Sequence, residues 1–359
     1  MTERDIVPLL DQLIARINTS GPMPFEEFME VCLYDLEDGF FATGPLRSTI
    51  SGDFLTSPEV SSWFGRTLGR FVASEQHRLG RDGFFVADVG AGSGSLLKAV
   101  AREIEFGSID VWAVDRSPAA RAALSDQSDW VVGKGIADLP EQVSGVILAN
   151  ELLDNLPTAL AVWTGNRWEE RFVGIQSGAL SLVRVPARTE VSSWSTQFGG
   201  IVPDGGMVEV QLAAGDWLRA ALGKMRRGSI VIIDYGGTAE ELEPRRTRGT
   251  LRTYRAHHLG PDPLLEPGKT DITSDVNFSS LMAIAAEAGC TIDLYRQDDF
   301  LEVWGLREEI RRLRHQELDL ARQGDPIERL KVRSQRIDIE ALVHPRGLGD
   351  FRVLVLGVA

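Results

Sequence analysis

The run FFVADVGAGSGSLLKAVARE, Phe84 to Glu103, constrains this chain more than any other stretch. Phe84 to Val89 is an apolar run of strand length, with Asp88 near its end. Gly90, Gly92 and Gly94 follow as a turn, and Leu97, Val100, Ala101 and Ile104 recur at helical spacing. Glycine is needed where backbone turns sharply and lies against a ligand. Strand, glycine turn and helix in succession predict a doubly wound α/β sheet that binds a nucleotide-like cofactor at its strand ends.

The spacing separates the candidate cofactors. A dinucleotide fingerprint is GxGxxG, with a pyrophosphate resting on the helix N-terminus. Here the glycines read GxGxG, and Ser95 stands where the third glycine of that fingerprint would fall. Asp88, two residues before Gly90, would repel a pyrophosphate but suits a ligand carrying ammonium and sulfonium charges. Asp115 ends the next apolar run, Ile109 to Val114, where a carboxylate can accept two hydrogen bonds from a ribose diol. This set of acids and glycines resembles the class I S-adenosylmethionine (SAM) methyltransferases. The competing reading is a structural turn of any α/β protein, which leaves the two strand-end acids unexplained.

Composition narrows the partners. The 359 residues exceed a usual single domain, so one large domain with insertions or two domains is expected. A net charge of −14 disfavours phosphate backbones and suits a basic peptide, so no nucleic-acid partner is expected. Cys32 and Cys290 are the only cysteines, which fits a reducing compartment. No apolar run approaches the roughly 20 residues that span a bilayer. The acidic start MTERDIVPLLDQ lacks a targeting pattern, and a cytoplasmic location is expected. No Cys/His cluster has metal-ligand spacing, so no metal is expected.

The expected organisation is nested. Residues 1–80 read as an N-terminal helical segment, beginning with an amphipathic helix over 3–18, and a motif that closes the cofactor site. Residues 81–158 and 225–359 read as the two parts of the Rossmann-like domain. Residues 159–224 read as an inserted, β-rich substrate region, because AVWTGNRWEERFVGIQSGALSLVRVP alternates around TGN and QSG turns. Strands are predicted at 84–89, 109–114, 130–132, 145–150, 229–234, 291–294 and 351–357. A charged helix over 304–322 and a loop over 260–270, suited to be a lid, complete the second part.

Two further motifs carry chemistry. In VILANELLDNLP, residues 146–157, Asn150, Glu151 and Asp154 follow a buried-type strand, at the edge where α/β sheets bind ligands. A carboxylate such as Glu151 can hold a guanidinium in a bidentate pair or take a proton. Asn150 and these acids also suit the first turn of a helix. In SGDFLTSPEVSSWFG, residues 51–65, Ser57 reads as an N-cap, with Pro58 and Glu59 in the first turn. The same N–H groups suit an anion such as the SAM carboxylate. Asp234, Tyr235 and Gly236 close strand five beside this region. Asp271, Thr273 and Asp275 read as capping residues before a helix over 278–288.

GDFLTSPEVSSWFG, DVGAGSGSL, ANELLDNLP, IIDYGG and RTYRAHH…DITSDVNF together resemble, in order and over nearly the whole chain, the MidA-like methyltransferases. The resemblance implies a class I SAM fold, a mostly parallel seven-stranded sheet, with an inserted substrate region. It implies SAM as cofactor and, in the relatives, arginine methylation of a respiratory complex I subunit, hence a protein substrate. Carried across, Asp88, Gly90, Gly92, Gly94, Asp115 and Asn150 bind SAM, Ser57 and Glu59 close its pocket, and Asn150, Glu151 and Asp154 face the acceptor. This chain departs from the pattern mildly: Asp88 stands where many members have Glu, and Ala91 and Ser93 where many have Arg or a bulky residue. Two other readings remain at this point. One is a small-molecule O- or N-methyltransferase using His257 or His258 as base. The other is a non-catalytic assembly factor.

Overall fold

The computed structural model describes residues 8–43, 46, 56–104, 109–127, 129–256, 258–324 and 326–359. Two main sheets are built from β1 (Phe84–Val89), β2 (Ile109–Val114), β3 (Val131–Gly133), β4 (Val143–Asn150), β5 (Ala159–Trp163), β6 (Trp168–Gln176), β7 (Ala179–Pro186), β8 (Met207–Val210), β9 (Met225–Asp234), β10 (Thr291–Arg296) and β11 (Arg352–Val358). The larger sheet has seven strands in the order β10-β11-β9-β4-β1-β2-β3. From β9 to β3 every pairing is parallel, and β11 runs antiparallel to both of its neighbours. This is the mostly parallel, seven-stranded class I fold. Its strand order reverses between β1 and β4, so a crevice opens at their C-terminal ends.

Burial on both faces explains the continuous apolar runs. All six residues of β1 are buried. Val86, Val146 and Val231 pack with Phe64, Leu68 and Val72 of the helix Ser62–Leu79. Ala87, Ile147 and Ile232 face the other way, toward Trp217, Leu218, Phe278 and Leu281. At one row of the sheet, Gly145 lies between Phe85 and Gly228. A Cβ on Gly145 would come within 1.8 Å of the Phe85 carbonyl oxygen, so the strands can close there only around glycine.

The smaller sheet is antiparallel: β8, β5 and β6 in order, with β7 and the short Met23–Pro24 strand also on β6. Leu160, Val173 and Leu180 pack against Leu9, Leu13, Phe25, Phe28 and Cys32. The helices Leu9–Ser20 and Phe25–Tyr34 therefore belong with the inserted sheet, whereas Ser62–Leu79 belongs with the large one. The segment that reads as one N-terminal unit in the sequence divides its packing between two cores.

Other local expectations change. Thr56, not Ser57, is the N-cap of the short helix Ser57–Val60. Ser61 then caps Ser62–Leu79 by accepting the Trp63 amide at 3.3 Å. The charged helix over 304–322 is the first arm of a hairpin, Leu306–Gln323 and Pro326–Leu342, tied by Arg314 to Glu340 and Arg336 to Glu317. The loop over 260–270 is docked rather than loose: Leu264 joins the core with Leu9 and Cys32. Among the described residues, no helix is long and apolar enough to cross a membrane.

Candidate active site

The glycine turn is locked to the next strand by Asp115. Gly90, Gly92 and Gly94 have φ of 83°, 52° and 75°, the left-handed region that favours glycine. The amides of Gly90 and Ala91 donate to the Val114 carbonyl at 2.8 and 3.0 Å. The Gly92 amide donates to Asp115 Oδ2 at 2.9 Å, and the Ser117 amide to Asp115 Oδ1 at 2.7 Å. Each Asp115 oxygen keeps one further lone pair for a ligand. Burial raises the Asp115 carboxyl, and the two amides oppose that rise.

A cavity of about 300 Å³ opens where β1, β2 and β4 end. That is the size of a small-ligand pocket. Asp88, Gly90, Gly92, Asp115, Glu59, Asn150 and Glu151 line it, together with Tyr34, Arg116, Lys134, Leu152, Asn155 and Trp217. Gly94 does not: a Cβ there would lie 2.8 Å from Leu124 and Trp130, so this glycine serves packing. Ser57 does not line it either and is fully buried. Its amide instead donates to Glu151 Oε1 at 3.0 Å. Glu59, two residues on, accepts the Ser93 hydroxyl of the glycine turn. The SPE segment thus ties the turn to the end of β4.

Asp88 is 2% exposed, and burial together with the Asp115 charge pushes its carboxyl up to about 7. Such a group is costly to ionise alone and is relieved by a cation. Asn150 Oδ1 is buried without a hydrogen-bond partner among the described residues, on the wall of the same cavity. A buried acid and an amide side chain on one cavity wall with the glycine turn fit the ammonium of an aminocarboxylate. Asp115 at the end of β2 fits a diol.

Glu151 has φ of 50°, uncommon for a non-glycine residue, and its amide donates to the Ile233 carbonyl at 2.8 Å. Asn150 Nδ2 donates to its Oε1 at 3.3 Å. Burial pushes the Glu151 carboxyl up to about 8; the Ser57 amide lowers it and the Asp154 charge raises it. Glu151 and Asn155 also line a second cavity of about 400 Å³, with Asp154, Tyr235, Arg252, Tyr254, Asp271 and Asp275. Arg245 and Arg252 in this cavity both pair with Asp275. Tyr235 donates its hydroxyl to Asp154. Asp234 accepts the Leu153 and Asp154 amides at 3.0 and 3.3 Å, and so holds the backbone after β4.

Several of these residues are absent from the sequence reading. Asp271 and Asp275 read as caps, but Asn277 caps the helix Phe278–Glu287 and the two acids face the second cavity. Tyr34 sits in an N-terminal helix with no local signal. The Arg116 guanidinium lies 3.7 Å from the Tyr34 ring centroid and pairs with Glu30. Arg116 was findable only as the neighbour of Asp115. Of the two general-base candidates, only one is described. His258 is exposed on a two-residue strand and lines neither cavity, and His257 lies outside the described residues. The 260–270 loop lines neither cavity.

Residues 67–296 match the family of S-adenosyl-L-methionine-dependent methyltransferases. The human mitochondrial protein arginine methyltransferase NDUFAF7 is 25% identical over 389 residues, 97% of this chain and 82% of that protein. Its Drosophila melanogaster homolog is 27% identical over 78% of this chain and 70% of its own length. A solved structure from Burkholderia thailandensis, bound to S-adenosyl-homocysteine, superposes with a TM-score of 0.85 at 28% identity, covering 98% of this chain and 92% of that one.

Proposed function

The chain belongs to the family of S-adenosyl-L-methionine-dependent methyltransferases, and on that footing we propose that it methylates a protein side chain, the guanidinium of an arginine. Bound SAM supplies an electrophilic methyl group. Asp115 would hold the ribose diol through its remaining lone pairs, Asp88 and Asn150 would take the ammonium, and the glycine turn would border the methionine part. The SPE segment, through Ser57 and Glu59, holds the turn and Glu151 in register.

The observation that carries the acceptor assignment is Glu151, which lines both cavities. A carboxylate there can accept two guanidinium N–H groups and concentrate lone-pair density on one nitrogen. Methylation would form a bond between a guanidinium nitrogen and the methyl carbon as that carbon's bond to the SAM sulfur breaks, leaving S-adenosyl-homocysteine, and the nitrogen would give up its proton. Burial pushes the Glu151 carboxyl up to about 8, a neighbouring guanidinium charge would favour its ionised form, and that form would receive the proton. The acidic walls of the second cavity support a cationic acceptor, and the names of the NDUFAF7 relatives support arginine.

The test is a Glu151→Gln variant assayed with labelled SAM and an arginine-containing peptide. Cofactor affinity should stay near the wild-type value, while turnover falls by about 100-fold or more. Undiminished turnover removes Glu151 from the mechanism. Label recovered on a residue other than arginine removes the acceptor assignment.

A further inference from the structure

The helix Pro326–Leu342 is apolar on two opposite faces. Val332, Ile339 and Leu342 are buried in one core with Phe64 and Leu68. On the other side Ile327, Leu330 and Ile337 are 67%, 63% and 50% exposed. With Ser334 and Ala341 they recur at alternating intervals of three and four residues. That is the spacing of a coiled-coil seam, sustained along about 25 Å of helix. Single exposed apolar residues are ordinary, but a continuous row marks a contact surface.

Charge indicates what packs there. Lys331 and Asp338 flank one edge of the row, Arg333 and Glu340 the other. Lys331 pairs with Glu328, and Glu340 with Arg314 and Arg336. Arg333 and Asp338 have no ion pair among the described residues. They stand on opposite edges, five positions apart, which is how two parallel helices exchange ion pairs across a shared seam. A second copy of the same helix satisfies both charges twice, about a two-fold axis. The hairpin is also where two copies repel least, since its helices carry more arginine and lysine than acid in a chain of net charge −14. We propose that this face is an interface between two copies of the chain. The two Pro326–Leu342 helices lie parallel, with Ile327, Leu330 and Ile337 in the seam and Arg333 of each copy paired with Asp338 of the other. No residue of this helix lines either cavity, so the contact leaves cofactor binding unchanged.

The test is analytical ultracentrifugation of the full chain between about 1 and 100 µM. The wild type should form a reversible dimer. Leu330→Glu combined with Ile337→Glu should be monomeric over the whole range, with its thermal midpoint and S-adenosyl-homocysteine affinity unchanged. Arg333→Asp and Asp338→Arg should each weaken the dimer about tenfold or more, because each sets like charges against one another. The variant carrying both changes should regain the dimer. Arg333 is exposed and Asp338 partly so, so these charge variants decide the matter if the seam variant does not fold. A wild type that stays monomeric, as it would if a different protein covers this face, overturns the proposal. So does a dimer that survives the seam variant, since it forms through another surface. Dimerisation indifferent to the single charge changes, or not regained in the double variant, overturns the parallel pairing and the proposal with it.

Discussion

At the scale of single residues, the buried acids make the protein sensitive to pH. The fold raises Asp88 to about 7 and Glu151 to about 8, so it favours their protonated forms. Their contribution to ligand-free stability is complete below the ordinary carboxyl values near 4. It is lost as pH rises through about 7 and about 8. The thermal midpoint of the ligand-free protein should therefore fall across that window, and Asp88→Asn should flatten the fall. SAM affinity should move the opposite way, rising as Asp88 ionises and losing that rise in Asp88→Asn. Asp115→Ala removes the ribose contacts and also frees the Gly92 and Ser117 amides. It should weaken SAM binding by about 2–3 kcal/mol in a calorimetric titration.

At the scale of elements, two strand ends and one short segment make the site. The glycine turn and β4 were legible because both combine an apolar run with residues that only a strand end explains. The SPE segment was legible as a helix start, but its first residue is Ser57 and its cap is Thr56. Local pattern does not reveal that the Ser57 amide leaves for Glu151, since that bond spans 94 positions. The centre of the large sheet gives a sharp test. Gly145→Ala would press a Cβ to 1.8 Å from backbone oxygen and should cost about 3 kcal/mol or more in denaturant unfolding. Gly178→Ala, in an open hairpin turn with φ of 81°, should cost only about 1 kcal/mol. Similar losses at both sites would remove the close-approach explanation.

At the scale of the whole molecule, charge and topology act together. A net charge of −14 biases encounters toward cationic partners. Exposed charges are screened beyond a Debye length of about 10 Å at 0.1 M salt. The KM for an arginine peptide flanked by lysines should therefore rise severalfold between about 0.05 and 0.5 M salt, with kcat little changed. A peptide flanked by neutral residues should show a flatter response, and equal responses would argue against steering. The N-terminal helices reach the cofactor cavity through Tyr34 while packing on the inserted sheet. The two cores thus share one wall of the site.

The chain's local patterns were enough to establish the class I fold and the cofactor type. Strands, turns and their terminal acids are written within a few residues of one another, so period and spacing expose them. The proposed acceptor class rests on the family resemblance, since no local pattern in the inserted region points to one. Tertiary packing alone decided the rest. It made Glu151 the wall between two cavities, turned Asp271 and Asp275 from apparent caps into cavity acids, and left His258 in solvent. The reason is physical: a side chain's partners and desolvation depend on residues far away in sequence, and those distances close only when the sheets and helices pack.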